Sequence, residues 1–188
     1  NPPRSYFQET SLISAIISQK YLNLIRNITL LILIVVYTTI EANSNTQSSQ
    51  YQMSNPQGFK INLRLAITKA EQSKGLSGLK PSLFQNNEGM LFINNHIGDH
   101  QFWMPDTYFS LDIIFLDQNL TIVGIEQNVP FHPGHVEPPV IYRTKNYRSQ
   151  FILETKPNVE FSKKLKVGDK LKWESATSLS EIVLKTHH

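Results

Sequence analysis

The sequence has no cysteine. A disulfide framework, a thiolate zinc site and a cysteine nucleophile are therefore excluded, and the redox compartment cannot be read from thiol content. Glycine is scarce, with 8 residues in 188, and no phosphate-cradling glycine loop occurs. The nearest approach to a nucleophile elbow, Gly75-Leu76-Ser77-Gly78-Leu79, lacks the closing glycine that the strained turn needs. Charge is sparse as well: 18% of residues are charged and the formal net charge is +3. The one basic cluster, Lys163, Lys164, Lys166, Lys170 and Lys172, reads as a solvated face, so no nucleic-acid partner is expected. Only one long apolar run is present, which excludes a multi-pass helical membrane protein. An apolar content of 40% and an aromatic content of 10% exclude wholesale disorder.

The apolar run, Ile28 to Ile40, is interrupted only by Thr29, Thr38 and Thr39. It follows Arg26 and leads into Glu41-Ala42 and a polar stretch, the three-part layout of a secretory signal. Its 13 residues fall short of the ~20 that span a bilayer. Residues 1–42 are thus expected to be a signal peptide cut after Ala42 or an uncleaved signal anchor, placing the rest of the chain outside the cytoplasm, periplasmic or secreted. The stretch before the run is long and contains no Met, so translation is expected to begin near residues 22–24, or the chain to be a fragment. Residues 43–58, rich in Asn, Ser, Gln and Thr, are read as a flexible linker. The 146 residues beyond position 42 suffice for one domain, which buries ~68–70% of its unfolded surface without metal or disulfide.

That domain is placed at residues 59–174. Phe59 to Ile67 alternates apolar and polar residues, a half-buried strand. Thr68-Lys69-Ala70-Glu71 is a capping box opening a short helix that Gly75 stops. Further short strands are expected at Met90–Ile93, Gln101–Met104, Leu111–Leu116, Leu120–Gln127, Phe151–Glu154 and Leu171–Trp173. Asn94–Asp99 is read as a turn, Asp117-Gln118-Asn119 as a hairpin turn, 128–148 as a long Pro-rich loop and Asn158 as the cap of a second short helix ending at Leu165. Residues 175–188 are a tail of no evident role. The whole predicts a mainly β, compact sandwich or barrel-like single domain with two short helices behind an N-terminal hydrophobic signal segment.

Several blocks in this order resemble the DUF192 (UPF0127) family. They are Thr68-x-x-Glu71-x-x-x-Gly75-Leu76, Glu88-Gly89-Met90-Leu91-Phe92, Phe102-Trp103-Met104-Pro105-Asp106-Thr107, Ser110 to Asp117, Leu153-Glu154 and Val167-Gly168-Asp169. The resemblance covers roughly residues 60–173. It implies a compact, mainly β fold, fits an exported protein, and supplies no activity. The family's Met and Arg after the Gly-Leu pair are replaced here by Ser77 and Leu79, and its Lys-Asn before the threonine by Pro105 and Asp106. An anion-binding role built on that Arg or Lys does not carry over.

Five residues are the candidate ligand-binding set: Trp103, Asp106, Thr107, Asp112 and Glu71. Trp103 is either the wall of a groove or part of the core. Asp112, inside an apolar run, must be paired or hydrogen-bonded; it is either a general acid/base or, the preferred reading, an acceptor for N–H groups of the Pro105–Ser110 turn. Asp106, Asp112 and Asp117 also offer paired carboxylates for glycoside hydrolysis, which turn and strand-end roles explain more simply. His96, His100, His132 and His135 are two close pairs that would hold a divalent metal if their loops met; otherwise no cofactor is expected. His187 and His188 are left out. Asn119-Leu120-Thr121 is a glycosylation sequon only in a eukaryotic secretory route. The functional expectation is a non-catalytic binding or accessory module for a small polar ligand, a glycan or an envelope protein, touching a membrane only through its N-terminal segment. The alternatives are a metal-assisted hydrolase with Asp112 or Glu71 as base, and a structural domain tethered to the envelope. The oligomeric state is not indicated.

Overall fold

The computed structural model describes residues 18–31 and 51–185. Residues 18–31 are helical (α1) and belong to a unit separate from the β domain. Among the described residues, no helix is long and apolar enough to cross a membrane. Most of the expected signal segment (residues 1–17 and 32–42), linker residues 43–50 and the tail's 186–188 lie outside the described residues.

The domain contains β1 (Tyr51–Ser54), β2 (Lys60–Ala66), α2 (Lys69–Lys74), a 3-10 turn (Pro81–Leu83), β3 (Glu88–His100), β4 (Leu111–Leu116), β5 (Ile122–Val129), β6 (Tyr147–Thr155), β7 (Lys172–Trp173) and α3 (Leu179–Lys185). The strands form one sheet in the order β5-β4-β6-β3-β2-β1-β7. Among the described strands only β2 and β3 run parallel, which demands a crossover between them; α2 and the 3-10 turn provide it. The sheet curls until its two ends meet. Leu120 and Ile122, at the start of β5, exchange main-chain hydrogen bonds with Gly168, Asp169 and Leu171 just before β7, at 2.8–3.0 Å. The expected barrel-like, mainly β fold is what forms.

The curl gives the sheet an inner and an outer face, and side chains divide between them by parity. Met53, Ile61, Leu63, Leu91, Ile93, Ile114, Leu116, Phe151 and Leu153 fill the inside, joined by Phe161, Leu165 and Ile182. Phe92, Leu111, Ile113, Phe115 and Ile152 point outward, where Leu76, Phe84, Met104, Val129 and Ile141 cover them. β4 is therefore buried along its whole length, and its unbroken Leu-Asp-Ile-Ile-Phe-Leu reflects two covered faces. Each such Ile, Leu or Phe contributes roughly 1.5–3 kcal/mol.

Local chemistry accounts for the ends. The Thr68 hydroxyl accepts from Glu71 N (3.2 Å) while the Glu71 carboxylate accepts from Thr68 N (2.8 Å) and Ile67 N (2.9 Å), so the capping box forms as read. The β4–β5 connection turns on Asp117, whose carboxylate accepts from Asn119 N and Thr121 N, both at 2.8 Å. Gly124 is required: a Cβ there would sit 2.1 Å from the Tyr147 ring, which stacks on Phe115 at 4.4 Å.

Several expectations are corrected. Tyr51–Ser54, read as linker, is β1, held between β2 and β7 with Met53 fully buried. Asn94–Asp99 is no turn: β3 runs on to His100 through a bulge with three extra residues between Ile93 and Gly98. Gln101–Met104 is not a strand but carries one bridge, Trp103 to Arg143. Residues 158–164 make successive turns in place of a helix, and the second helix is α3, in the supposed tail, whose Ile182 enters the core.

Candidate ligand-binding site

The outer face of the sheet is not fully sealed. A cavity of about 480 Å³ opens between α2 with the Gly75–Ser77 turn on one side and the 100–107 segment on the other. That size suits a small organic molecule. Phe92, Phe102, Trp103 and Met104 are its apolar walls, Gln72, Asn94 and Gln101 supply amides, and Glu154 of β6 also lines it.

Each wall has a local cause. The β3 bulge brings Asn94 and His100 to the cavity, and Asn94 is pinned by exchanging hydrogen bonds with Gln150 (Nδ2 to the Gln150 carbonyl 3.0 Å; Gln150 Nε2 to the Asn94 carbonyl 3.1 Å). Phe102 packs edge-on to Phe92 at 4.8 Å. Gly75, at φ +47°, lets the chain leave α2 directly over Phe92; a Cβ there would lie 3.1 Å from the ring. The Pro105–Thr107 turn is held on both flanks. Gly78 N donates to the Asp106 carbonyl (2.8 Å), Asp106 N to Gly134 (2.6 Å), and Thr107 exchanges bonds with the main chain of His132.

Two buried side-chain atoms in this lining have no hydrogen-bond partner among the described residues: Glu154 Oε2 and His100 Nε2. Glu154 is 5% exposed. Burial pushes its carboxyl up to about 8 from an ordinary 4.5. Burial also holds the His100 imidazole below its usual range, against the opposing pull of Asp99 and the Ser149 main chain. An unsatisfied buried carboxyl is costly, and such groups cluster at functional sites.

Of the residues nominated from sequence, Trp103, Thr107, His100 and His135 line this cavity. Trp103 is half exposed, with the Arg143 guanidinium over its ring at 5.3 Å. The others lie elsewhere. Glu71 is spent on the α2 cap, and the N–H groups of Thr68 and Ile67 hold its carboxyl below the usual range. Asp106 accepts from Tyr108 (2.9 Å) and Ser77 (3.2 Å), the Tyr108 hydroxyl being the main cause of its lowered range. Asp112 faces the inside of the barrel. Its acceptors serve Asn128 N (2.9 Å) and the Ser162 hydroxyl (2.7 Å), not the Pro105–Ser110 turn. His132 is buried with its ring nitrogens on the carbonyls of Gly134 (3.2 Å) and Pro139 (2.9 Å), and His96 is exposed on the bulge. The four histidines do not converge: among the described residues, no group of three or more His, Cys, Asp or Glu is placed to share a metal. Sequence reasoning did not nominate Glu154. Its available signal was a lone acid closing the apolar run Phe151-Ile152-Leu153.

The comparisons fit this architecture. Residues 52–173 match the DUF192 family, described as "Uncharacterized ACR". A crystal structure of a protein of unknown function from Novosphingobium aromaticivorans DSM 12444 is 27% identical, with a TM-score of 0.53 over 65% of this chain and 83% of that one. A candidate transcription regulator from Sinorhizobium meliloti 1021 is 23% identical, with a TM-score of 0.52 over 65% of this chain and 91% of that one, and shares the fold. No curated protein matches the chain.

Proposed function

We propose that this chain, which belongs to the DUF192 family, is a binding module that holds a small polar molecule between α2 and the Trp103–Thr107 segment. The observation that carries this reading is Glu154 Oε2, a buried acceptor that folding leaves without a partner at the wall of an open cavity. A ligand that donates to it recovers a hydrogen bond the free protein lacks. The aromatic walls supply the apolar contact that such pockets use for affinity. Of the carboxylates read from the sequence as bases, Glu71 caps α2 and Asp112 holds Ser162 and Asn128, so both serve as structural acceptors away from the cavity. The apolar run Ile28 to Ile40 supports export, so the ligand would be met outside the cytoplasm.

A thermal-shift screen of the full chain against amines, amino acids, sugars and small organic acids tests the reading. A ligand present at 100 times its Kd adds about 2.7 kcal/mol of stability. The expected result is at least one compound that raises Tm in the wild type and loses most of that shift in Trp103→Ala. No hit, or hits indifferent to Trp103→Ala, would overturn the assignment.

A further inference from the structure

An unpartnered buried carboxyl beside aromatic walls narrows the ligand class. Gln72, Asn94 and Gln101 all turn their amide NH2 groups to main-chain carbonyls: Gln72 to Ile93 (2.8 Å), Asn94 to Gln150 (3.0 Å) and Gln101 to Thr144 (2.8 Å). Their amide oxygens remain to accept. The Thr107 hydroxyl is likewise committed, donating to the Met104 carbonyl at 2.8 Å. Glu154 Oε2 and His100 Nε2 are the two buried side-chain atoms of the lining that no described residue partners. Donors remain too: the Trp103 indole N–H and one amide N–H each of Asn94 and Gln101, and, on the exposed face of α2 at the mouth, the Lys69 and Lys74 ammoniums and the Ser73 hydroxyl. The other ionisable groups of the lining are His100 and His135.

A buried carboxyl with no partner can form a charge-assisted ion pair with an ammonium, which neither an alcohol nor a carboxylate ligand can offer it. An ammonium only donates. The faces of Phe92, Phe102 and Trp103 attract positive charge through their ring quadrupoles. Resting on the binding reading above, we infer that the cavity takes an organic ammonium ion, a primary or secondary amine on an apolar body, with its N–H groups directed at Glu154 and its apolar part against Phe92, Phe102 and Trp103. At neutral pH the empty site carries Glu154 as the uncharged acid. Seating the cation as an ion pair then releases that proton to solvent: RNH3+ plus the carboxylic acid gives the RNH3+–carboxylate pair plus H+.

The test is isothermal titration of the full chain with 2-phenylethylamine, its neutral isostere 2-phenylethanol and the anion phenylacetate, at pH 7 in two buffers of different ionisation enthalpy. The amine is expected to bind at least tenfold more tightly than either comparator and to release close to one proton. Its affinity should rise up to about tenfold between pH 6 and pH 7. Glu154→Gln should bring the amine down to the alcohol's affinity and abolish the proton release. Equal or tighter binding of alcohol or acid, amine binding without proton release, or amine binding unchanged in Glu154→Gln would each overturn the inference. Proton release by the wild type needs no variant to fold. If none of the three binds, the inference fails; the broader screen then shows whether the binding reading falls with it or survives on a ligand of another class.

Discussion

Two buried carboxyl groups sit on neighbouring strands of one sheet and meet opposite fates. Asp112 of β4 faces the inside, and Glu154 of β6 faces out. They are 3% and 5% exposed, so burial does not distinguish them. Partners do. Ser162 and Asn128 are delivered to Asp112 by segments that pack on the barrel's inner side and rim, and both of its oxygens accept. Around Glu154 the covering elements bring aromatic rings and a cavity. The first arrangement is how a fold accommodates a buried carboxyl group. The second keeps an acceptor unsatisfied, and a stable domain retains such a feature where something else completes it.

The sharpest way to test this contrast is to remove the satisfied group. Asp112→Ala strands the Ser162 hydroxyl and Asn128 N–H and leaves a void. It should cost roughly 3–5 kcal/mol in urea unfolding, with little change in ligand binding by the folded fraction. Loss of binding at full stability would reverse the roles assigned to the two acids.

Glu154→Gln should act in the opposite direction, by about 2–4 kcal/mol, and only over a defined pH range. The folded carboxyl is raised from 4.5 to about 8. Below pH 4.5 both folded and unfolded chains carry it protonated, so no penalty arises. Between 4.5 and about 8 the unfolded chain is ionised and the folded one is not, and wild-type stability falls as pH rises. Above about 8 the loss is complete and levels off. A shift of that size is worth at most roughly 5 kcal/mol, and water reaching the cavity wall takes part of it. The Tm difference between variant and wild type should therefore be small at pH 4.5 and largest at pH 8.5. A difference independent of pH would show that Glu154 is satisfied in solution.

The same contrast marks what the sequence could disclose. The alternation of β2, the Thr68–Glu71 box and the Asp117 turn are local patterns written in adjacent residues, and the fold follows them. β1 escaped because Tyr51-Gln52-Met53-Ser54 has one fully buried side chain, and its strand character comes from β2 and β7 on either side. α3 escaped for a similar reason, with Ile182 as its buried anchor. The bulge in β3 depends on where β6 realigns, which no stretch of β3 encodes. Asp112 was legible as a buried acid, but its partners lie 16 and 50 residues away. Glu154 was legible only as the last residue of an apolar run. Its meaning depends on what α2 and the 100–107 segment bring over it, and that is a property of tertiary placement alone.

The smallest effect concerns the rim. α2 has only six residues and none is buried, so its order depends on the capping box more than on packing. Thr68→Ala removes one acceptor of that box and should cost about 1 kcal/mol, seen as faster amide exchange over residues 69–75 and a Tm drop of a few degrees. Because α2 supplies one wall of the cavity but does not touch the Asp112 cluster, exchange near Asn128 and Ser162 should stay at wild-type rates. Amine affinity should weaken by severalfold at most, since Glu154 and the aromatic wall remain in place. If exchange instead quickens on both sides of the sheet together, α2 is coupled to the barrel interior, and the division between a satisfied inner acid and an open outer one would need to be redrawn.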